Sequence, residues 1–182
     1  IVQRKTSAQL SQPLQRFSQR HGTTLFTTLM RAFATLMYRY SQQSDMVIAT
    51  PIAGREHPDL ENLIGFFVNT LPLRIQLSEG DSFDTLLIQV QAVSLNAFDN
   101  QDIPFTQLVE ALSLERDPSY LPLCQVMFVL QNAPQAKFEL PNLTLESLPT
   151  HAGIAQYDLT LSAFVEEDGL VCEWEYNSDL FA

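Results

Sequence analysis

The amino-acid sequence predicts an α/β (α+β) domain in which a mixed β-sheet is covered by helices. Three observations carry that prediction. Over residues 24–40 apolar side chains recur at three-to-four spacing, the mark of an amphipathic helix. Near the end of the chain, two alternating runs flank Asp168-Gly169, the mark of an antiparallel hairpin. Between these features, short apolar strands and further helical patterns are interspersed.

Taken in order, Ser11 is a good N-cap for a first helix, with Pro13 tolerated in its opening turn and Gly22 as its stop. The second helix places Leu25, Leu29, Phe33, Leu36, Met37 and Tyr40 on one stripe, with Arg31 and Arg39 off it. Asp45–Ile52 has no polar side chain between Asp45 and Thr50 and reads as a strand buried on both faces. Residues 54–61 read as a charged loop broken by Pro58. Residues 65–77 read as a strand whose second half has one wet face, because Leu71, Leu73, Ile75 and Leu77 alternate with Pro72, Arg74 and Gln76.

Asp81-Ser82 then caps a long helix with Phe83, Leu86, Leu87, Val90, Val93 and Ala97 inward. Asp102 and Pro104 open a short helix over residues 105–112, and residues 123–131 form a third apolar strand. Residues 133–149 carry three prolines and read as an extended excursion. In the closing hairpin, Leu159, Leu161, Ala163 and Val165 alternate before the turn, and Leu170, Cys172, Trp174 and Tyr176 after it. No internal repeat or low-complexity segment is visible.

Composition bounds the function. With 182 residues and 46% apolar content, the chain can bury one real core. It opens on Ile1 rather than Met, as a piece of a longer polypeptide would. No apolar run approaches the about 20 residues of a bilayer span, and no signal peptide opens the chain, so no membrane partner is expected. A net charge of −11 argues against nucleic acid, whose phosphates need clustered bases. The charge is polarised: Arg4, Lys5, Arg16, Arg20, Arg31 and Arg39 all precede the first acid, Asp45. Such a chain presents an acidic face, meets an acidic partner at its basic end, or has only a solvated surface. Cys124 and Cys172 sit in apolar stretches with no partner at ligand spacing, which reads as reduced, buried thiols in a cytoplasmic protein and not as a metal site.

No self-contained active site emerges from residue chemistry. His21 ends a helix before Gly22, His57 lies in the charged loop, and His151 precedes the hairpin. None has a second His at one- or four-residue spacing, and each reads more simply as a surface or capping residue. There is no GxSxG elbow, GxGxxG or P-loop. Glu166, Glu167 and Asp168 at the hairpin tip read as solvation. More informative is Asn69-Thr70 inside the apolar run Ile64-Gly65-Phe66-Phe67-Val68. A buried amide must be hydrogen-bonded, so Asn69 either braces a neighbouring loop or faces a polar tunnel. Gly54-Arg55 follows a buried strand and puts a guanidinium either into a cleft at the strand end or into an ion pair with Glu56 or Asp59.

At these residues the sequence resembles a known family. IGFFVNTLPLR (residues 64–74), NQDIPFTQLVEAL (100–112) and RDPSYLPLCQVMFVLQN (116–132) resemble, in order, the fifth, sixth and seventh motifs of nonribosomal peptide synthetase condensation domains. VIATPIAGR, AQYDLTL and EYNSDLF fit the same pattern. Asn100 stands where the family usually has His, Thr106 where it has Glu, and Tyr120-Leu121 where Arg-Asn or Arg-Ser is common. These are exposed-type positions, so altered surface contacts are expected.

The resemblance implies one lobe of a two-lobed fold similar to chloramphenicol acetyltransferase, with the active site in a tunnel between the lobes. The whole chain, 1–182, would be the C-terminal lobe, because the family's catalytic HHxxxDG occurs nowhere in it. No catalytic residue is therefore assigned. Gly54, Arg55, Asn69 and Thr70 are the candidate tunnel residues, residues 55–63 the candidate floor loop, and residues 133–149 the candidate latch. The implied activity is amide formation between aminoacyl or peptidyl thioesters, of a type joining two L-configured partners. The chain itself would bind no metal or cofactor, since phosphopantetheine arms belong to carrier proteins. Implied partners are the N-terminal lobe, donor and acceptor carrier proteins and an adjacent adenylation domain. The alternatives are a non-catalytic carrier-docking lobe and an epimerisation-type relative. The fragment alone is expected to be inactive.

Overall fold

A computed structural model describes residues 1–55, 57–61, 63–114, 120–131, 153–166 and 169–181. The elements run β1 (Val2–Lys5), α1 (Ala8–Arg20), α2 (Leu25–Ser41), β2 (Asp45–Ile52), α3 (Pro58–Glu61), β3 (Asn69–Gln76), α4 (Phe83–Asp99), α5 (Phe105–Ala111), β4 (Val126–Gln131), β5 (Leu159–Glu166) and β6 (Gly169–Tyr176). Among the described residues the strands form one six-stranded sheet in the order β1-β6-β5-β4-β2-β3. β4 runs parallel to both β2 and β5, and the other pairs are antiparallel, so the sheet is mixed as the sequence predicts.

The core lies on one face of this sheet. Ile48, Leu73, Ile75, Phe128, Leu161, Ala163 and Leu170 point from alternate strand positions at Met30, Phe33 and Ala34 of α2 and at Leu86 and Val90 of α4. A chain of aromatic rings crosses it: Phe26 to Phe128 at 5.6 Å, Phe128 to Phe33 at 5.8 Å, and Phe33 to Trp174 at 5.8 Å. Rings at such separations add an attraction of about 0.5–1.5 kcal/mol per pair beyond their area. Ser82 caps α4 by accepting from the Thr85 N–H at 3.1 Å, as its position before an apolar stripe predicts.

Several expectations need correction. The first helix starts at Ala8, with Ser7 rather than Ser11 as its extended N-cap, so Pro13 lies inside it. Pro13 is exposed, where water can bond the carbonyl that its missing N–H leaves unpaired. On α2 the buried arc is rotated from the predicted stripe: Met30, Phe33 and Ala34 are buried, while Leu36 and Tyr40 reach 37% and 83% exposure. Arg31, off the stripe, lies with its guanidinium carbon 3.1 Å above the centre of the Phe83 ring. Leu36 and Tyr40 satisfy the period, but α4 packs on the other flank of the helix.

Residues 65–68 are not part of β3, which begins at Asn69; β4 begins at Val126 rather than at Leu123, and Leu123 has φ +70°. The loop after β2 contains the single helical turn α3. Sequence pattern gives no sign of β1: every residue in it is exposed, and it is a strand because β6 offers it a free edge. The candidate latch, residues 133–149, falls outside the described residues.

Candidate functional site

The four residues singled out by sequence converge at one end of the β2/β3 pair. Asn69 lies opposite Ile52 and Thr70 opposite Pro51 in the antiparallel register, and Gly54-Arg55 follows two residues later. Gly54 has φ +62°, a left-handed turn that glycine alone adopts without penalty. A Cβ added there would collide with the Phe67 carbonyl oxygen, so the two ends of the intervening loop touch at this glycine.

Arg55 spans that loop. Its guanidinium donates to the carbonyl of Leu60 and, at 3.4 Å, to the carbonyl of Gly65, and its central carbon lies 4.4 Å above the Phe67 ring. These bonds go to backbone carbonyls. Beyond the ring, the loop's apolar side chains turn outward, with Ile64 at 104% and Phe66 at 90% relative exposure.

Asn69 is fully engaged as a brace. Its amide donates to the carbonyls of Gln101 at 3.0 Å and Ile103 at 2.8 Å, and its oxygen accepts from the Phe105 N–H at 3.1 Å. One side chain thereby fixes the turn between α4 and α5 and satisfies a donor in the first turn of α5. Pro104 occupies the N-cap of that helix and has no side-chain cap bond of its own. Thr70 shares a hydrogen bond with the Tyr157 phenol, whose pKa burial raises.

A cleft of about 650 Å³ opens beside the loop, at the ends of β2, β4 and β5 that face the start of α2. Gly54 and Arg55 line it with Thr50, Phe26, Phe98 and Gln101, whereas Asn69 and Thr70 are not among its lining residues. The four candidates therefore divide into two at the cleft wall and two that fasten neighbouring segments. Gln101, Tyr157 and Phe67 belong to the same constellation, although residue chemistry alone does not single them out. All three lie in the segments that resemble family motifs, which is the signal the sequence offers for them.

The histidines are elsewhere. His21 caps the end of α1 by donating from Nδ1 to the Phe17 carbonyl at 3.0 Å, with its ring stacked on Phe17 at 4.0 Å. The His57 side chain is 70% exposed, and among the described residues its bonds stay within its own turn, to Asp59. His151 lies outside the described residues. Among the described residues no group of three His, Cys, Asp or Glu side chains could hold a metal, and no helix is long and apolar enough to cross a membrane. The departures from the motif pattern are on the surface: Asn100 is exposed and bonds back to Asn96 at 2.8 Å, and Thr106, Tyr120 and Leu121 are exposed as well.

Known proteins are similar to this chain both in sequence and in fold. One component of the linear gramicidin synthase of Brevibacillus parabrevis is 48% identical over 172 residues, covering 92% of this chain and 2% of the relative. Tyrocidine synthase 3 of the same organism is 45% identical over 168 residues, covering 92% of this chain and 3% of that protein. The chain thus spans a small fraction of the curated relatives it matches. Among solved structures, the holo form of AB3403, a four-domain nonribosomal peptide synthetase bound to AMP and glycine, superposes with a TM-score of 0.91 at 28% identity. That match covers all of this chain and 15% of the other. The X-domain from teicoplanin biosynthesis gives a TM-score of 0.89 at 28% identity, covering all of this chain and 42% of the other. A family model described as "Condensation domain" matches residues 1–182, and the chain belongs to that family.

Proposed function

We propose that this chain is the C-terminal lobe of a condensation domain and works in amide-bond formation during nonribosomal peptide synthesis. The observation that carries the reading is the family match over the full 182 residues of a chain that contains no HHxxxDG. The motif-bearing segments supply a wall and the loops around it, and polypeptide upstream supplies the imidazole. In the reaction the acceptor amine attacks the donor thioester carbonyl. A C–N bond forms, the C–S bond breaks, and the donor arm's thiol leaves with the proton.

In this reading residues 55–63 are the floor loop and residues 133–149 the latch that crosses to the first lobe. Gly54 and Arg55 stand at the tunnel wall, and Asn69 and Thr70 hold that wall in place. The Asn69 brace supports this division, because it joins the FVNT strand to the QDIPF segment, two motifs about thirty residues apart. The phosphopantetheine arms that deliver donor and acceptor belong to carrier proteins. The partners are the N-terminal lobe, both carriers and the adjacent adenylation domain, in the cytoplasm.

The test is product formation from loaded donor and acceptor carriers. This chain alone should give no amide product. The same chain joined to its upstream polypeptide, with an HHxxxDG about 150 residues before these motifs, should give product that is lost on replacing the second His of that motif. Product above background from the isolated chain, or none from the complete domain, would overturn the reading.

A further inference from the structure

We infer that Arg55 is a positioning residue, which clamps the loop between β2 and β3 so that Ile64 and Phe66 project as a preformed apolar tip. The inference deepens the floor-loop reading and rests on it for what the tip meets. The clamp itself stands on geometry. One planar cation bonds the carbonyls of Leu60 and Gly65, on the two limbs of the loop, and stacks on Phe67 at 4.4 Å. Gly54 closes the neck beneath it, because its left-handed φ of +62° and missing Cβ let the Phe67 carbonyl approach.

Only arginine performs this task. A guanidinium presents a fork of N–H donors in one plane and an apolar face for an aromatic ring, whereas a lysine ammonium offers a single point of charge. Without the clamp, the loop of residues 55–68 has one helical turn and little buried apolar surface among its described residues, so its order would be lost first. With the clamp, Phe67 is drawn in and its neighbours are turned out, with Ile64 at 104% and Phe66 at 90% exposure. Adjacent apolar side chains this exposed mark a contact surface. The occupant is the remainder of the same condensation domain: the X-domain match covers all of this chain but 42% of the other, so over half of a comparable domain lies beyond these residues. Preordering the tip removes its conformational cost from the docking step.

The experiment uses the domain with its upstream polypeptide and compares wild type, Arg55→Ala and Arg55→Lys. Hydrogen exchange of the amides of residues 57–67 is read alongside amide-product kinetics on loaded carriers. Arg55→Ala should speed exchange across the loop at least tenfold, leave protection of Leu71, Leu73 and Ile75 unchanged, and lower kcat with little change in KM. Arg55→Lys should restore less than half of the lost protection. Should Arg55→Ala fail to fold, Arg55→Lys and Phe67→Leu are read by the same exchange measurement, each expected to loosen the loop alone. Unchanged loop exchange overturns the inference, and so does a raised KM with a protected loop, which would place Arg55 against substrate. A wild-type domain that makes no amide would sink the functional reading, while the exchange data would still decide the clamp.

Discussion

Replacing Asn69 by alanine tests the physical core of the site. The substitution deletes three hydrogen bonds, to the Gln101 and Ile103 carbonyls and from the Phe105 N–H. Each is worth about 0.5–1.5 kcal/mol net, and water can reach part of this half-buried position, so a loss of about 2–3 kcal/mol is expected. For a chain of this size that lowers Tm by roughly 4–12 °C. Asn69→Asp should be worse at neutral pH, because it keeps the acceptor for Phe105 but turns a carboxylate toward two carbonyl oxygens. Protonating that carboxylate restores one donor, so its deficit should shrink in acid. The control is His57→Ala, whose side chain is 70% exposed and, among the described residues, bonded only within its own turn, and which should shift Tm by no more than about 1–2 °C. Thermal melts followed by circular dichroism read all three variants. Equal melting temperatures for Asn69→Ala and His57→Ala would refute the brace.

The pair Asp45–Arg74 makes a pH prediction. The Arg74 guanidinium, donating to Asp45 at 2.6 Å, and the Gln76 amide pull the Asp45 carboxyl from 3.8 down to about 2. A depressed folded pKa contributes stability above the unfolded value that is lost as pH falls toward about 2, so Asp45→Asn should lack that acid-side loss in urea titrations between pH 4 and 2. Cys124 is buried and its thiol is pushed up to about 12, so a thiol-selective reagent at pH 8 should spare it in the native state and label it in denaturant. A Cβ at Gly169 would collide with the Thr6 carbonyl, so Gly169→Val should release β1 and speed hydrogen exchange at Val2–Lys5 while leaving the β2/β3 pair protected.

Much of the fold was legible in sequence wherever burial imposes a period on one chain segment. β2 matches the apolar run from Asp45 to Ile52, and Leu71, Leu73 and Ile75 are buried in β3 as their alternation requires. The closing hairpin forms where the Asp-Gly signal puts it, although Gly169 pairs with Glu166 as the first residue of β6 and is not part of the turn. The motif residues were legible too, because a polar Asn69 in an apolar run demands partners.

What those partners are was decided only in three dimensions. Nothing local distinguishes bracing from tunnel lining for Asn69, since its partners at Gln101, Ile103 and Phe105 lie over thirty residues away. The ion pair weighed for Arg55 and the carbonyl contacts it makes are equally compatible with its neighbours in sequence. β1 exists only because β6 leaves an edge, and the working face of α2 turns away from Leu36 and Tyr40 because α4 packs beside Met30 and Ala34. Sequence by itself determined the class of the fold, the family and which residues were out of place. Strand order, helix rotation and the destination of each polar side chain depend on contacts between distant segments, and these are settled only when the whole chain packs.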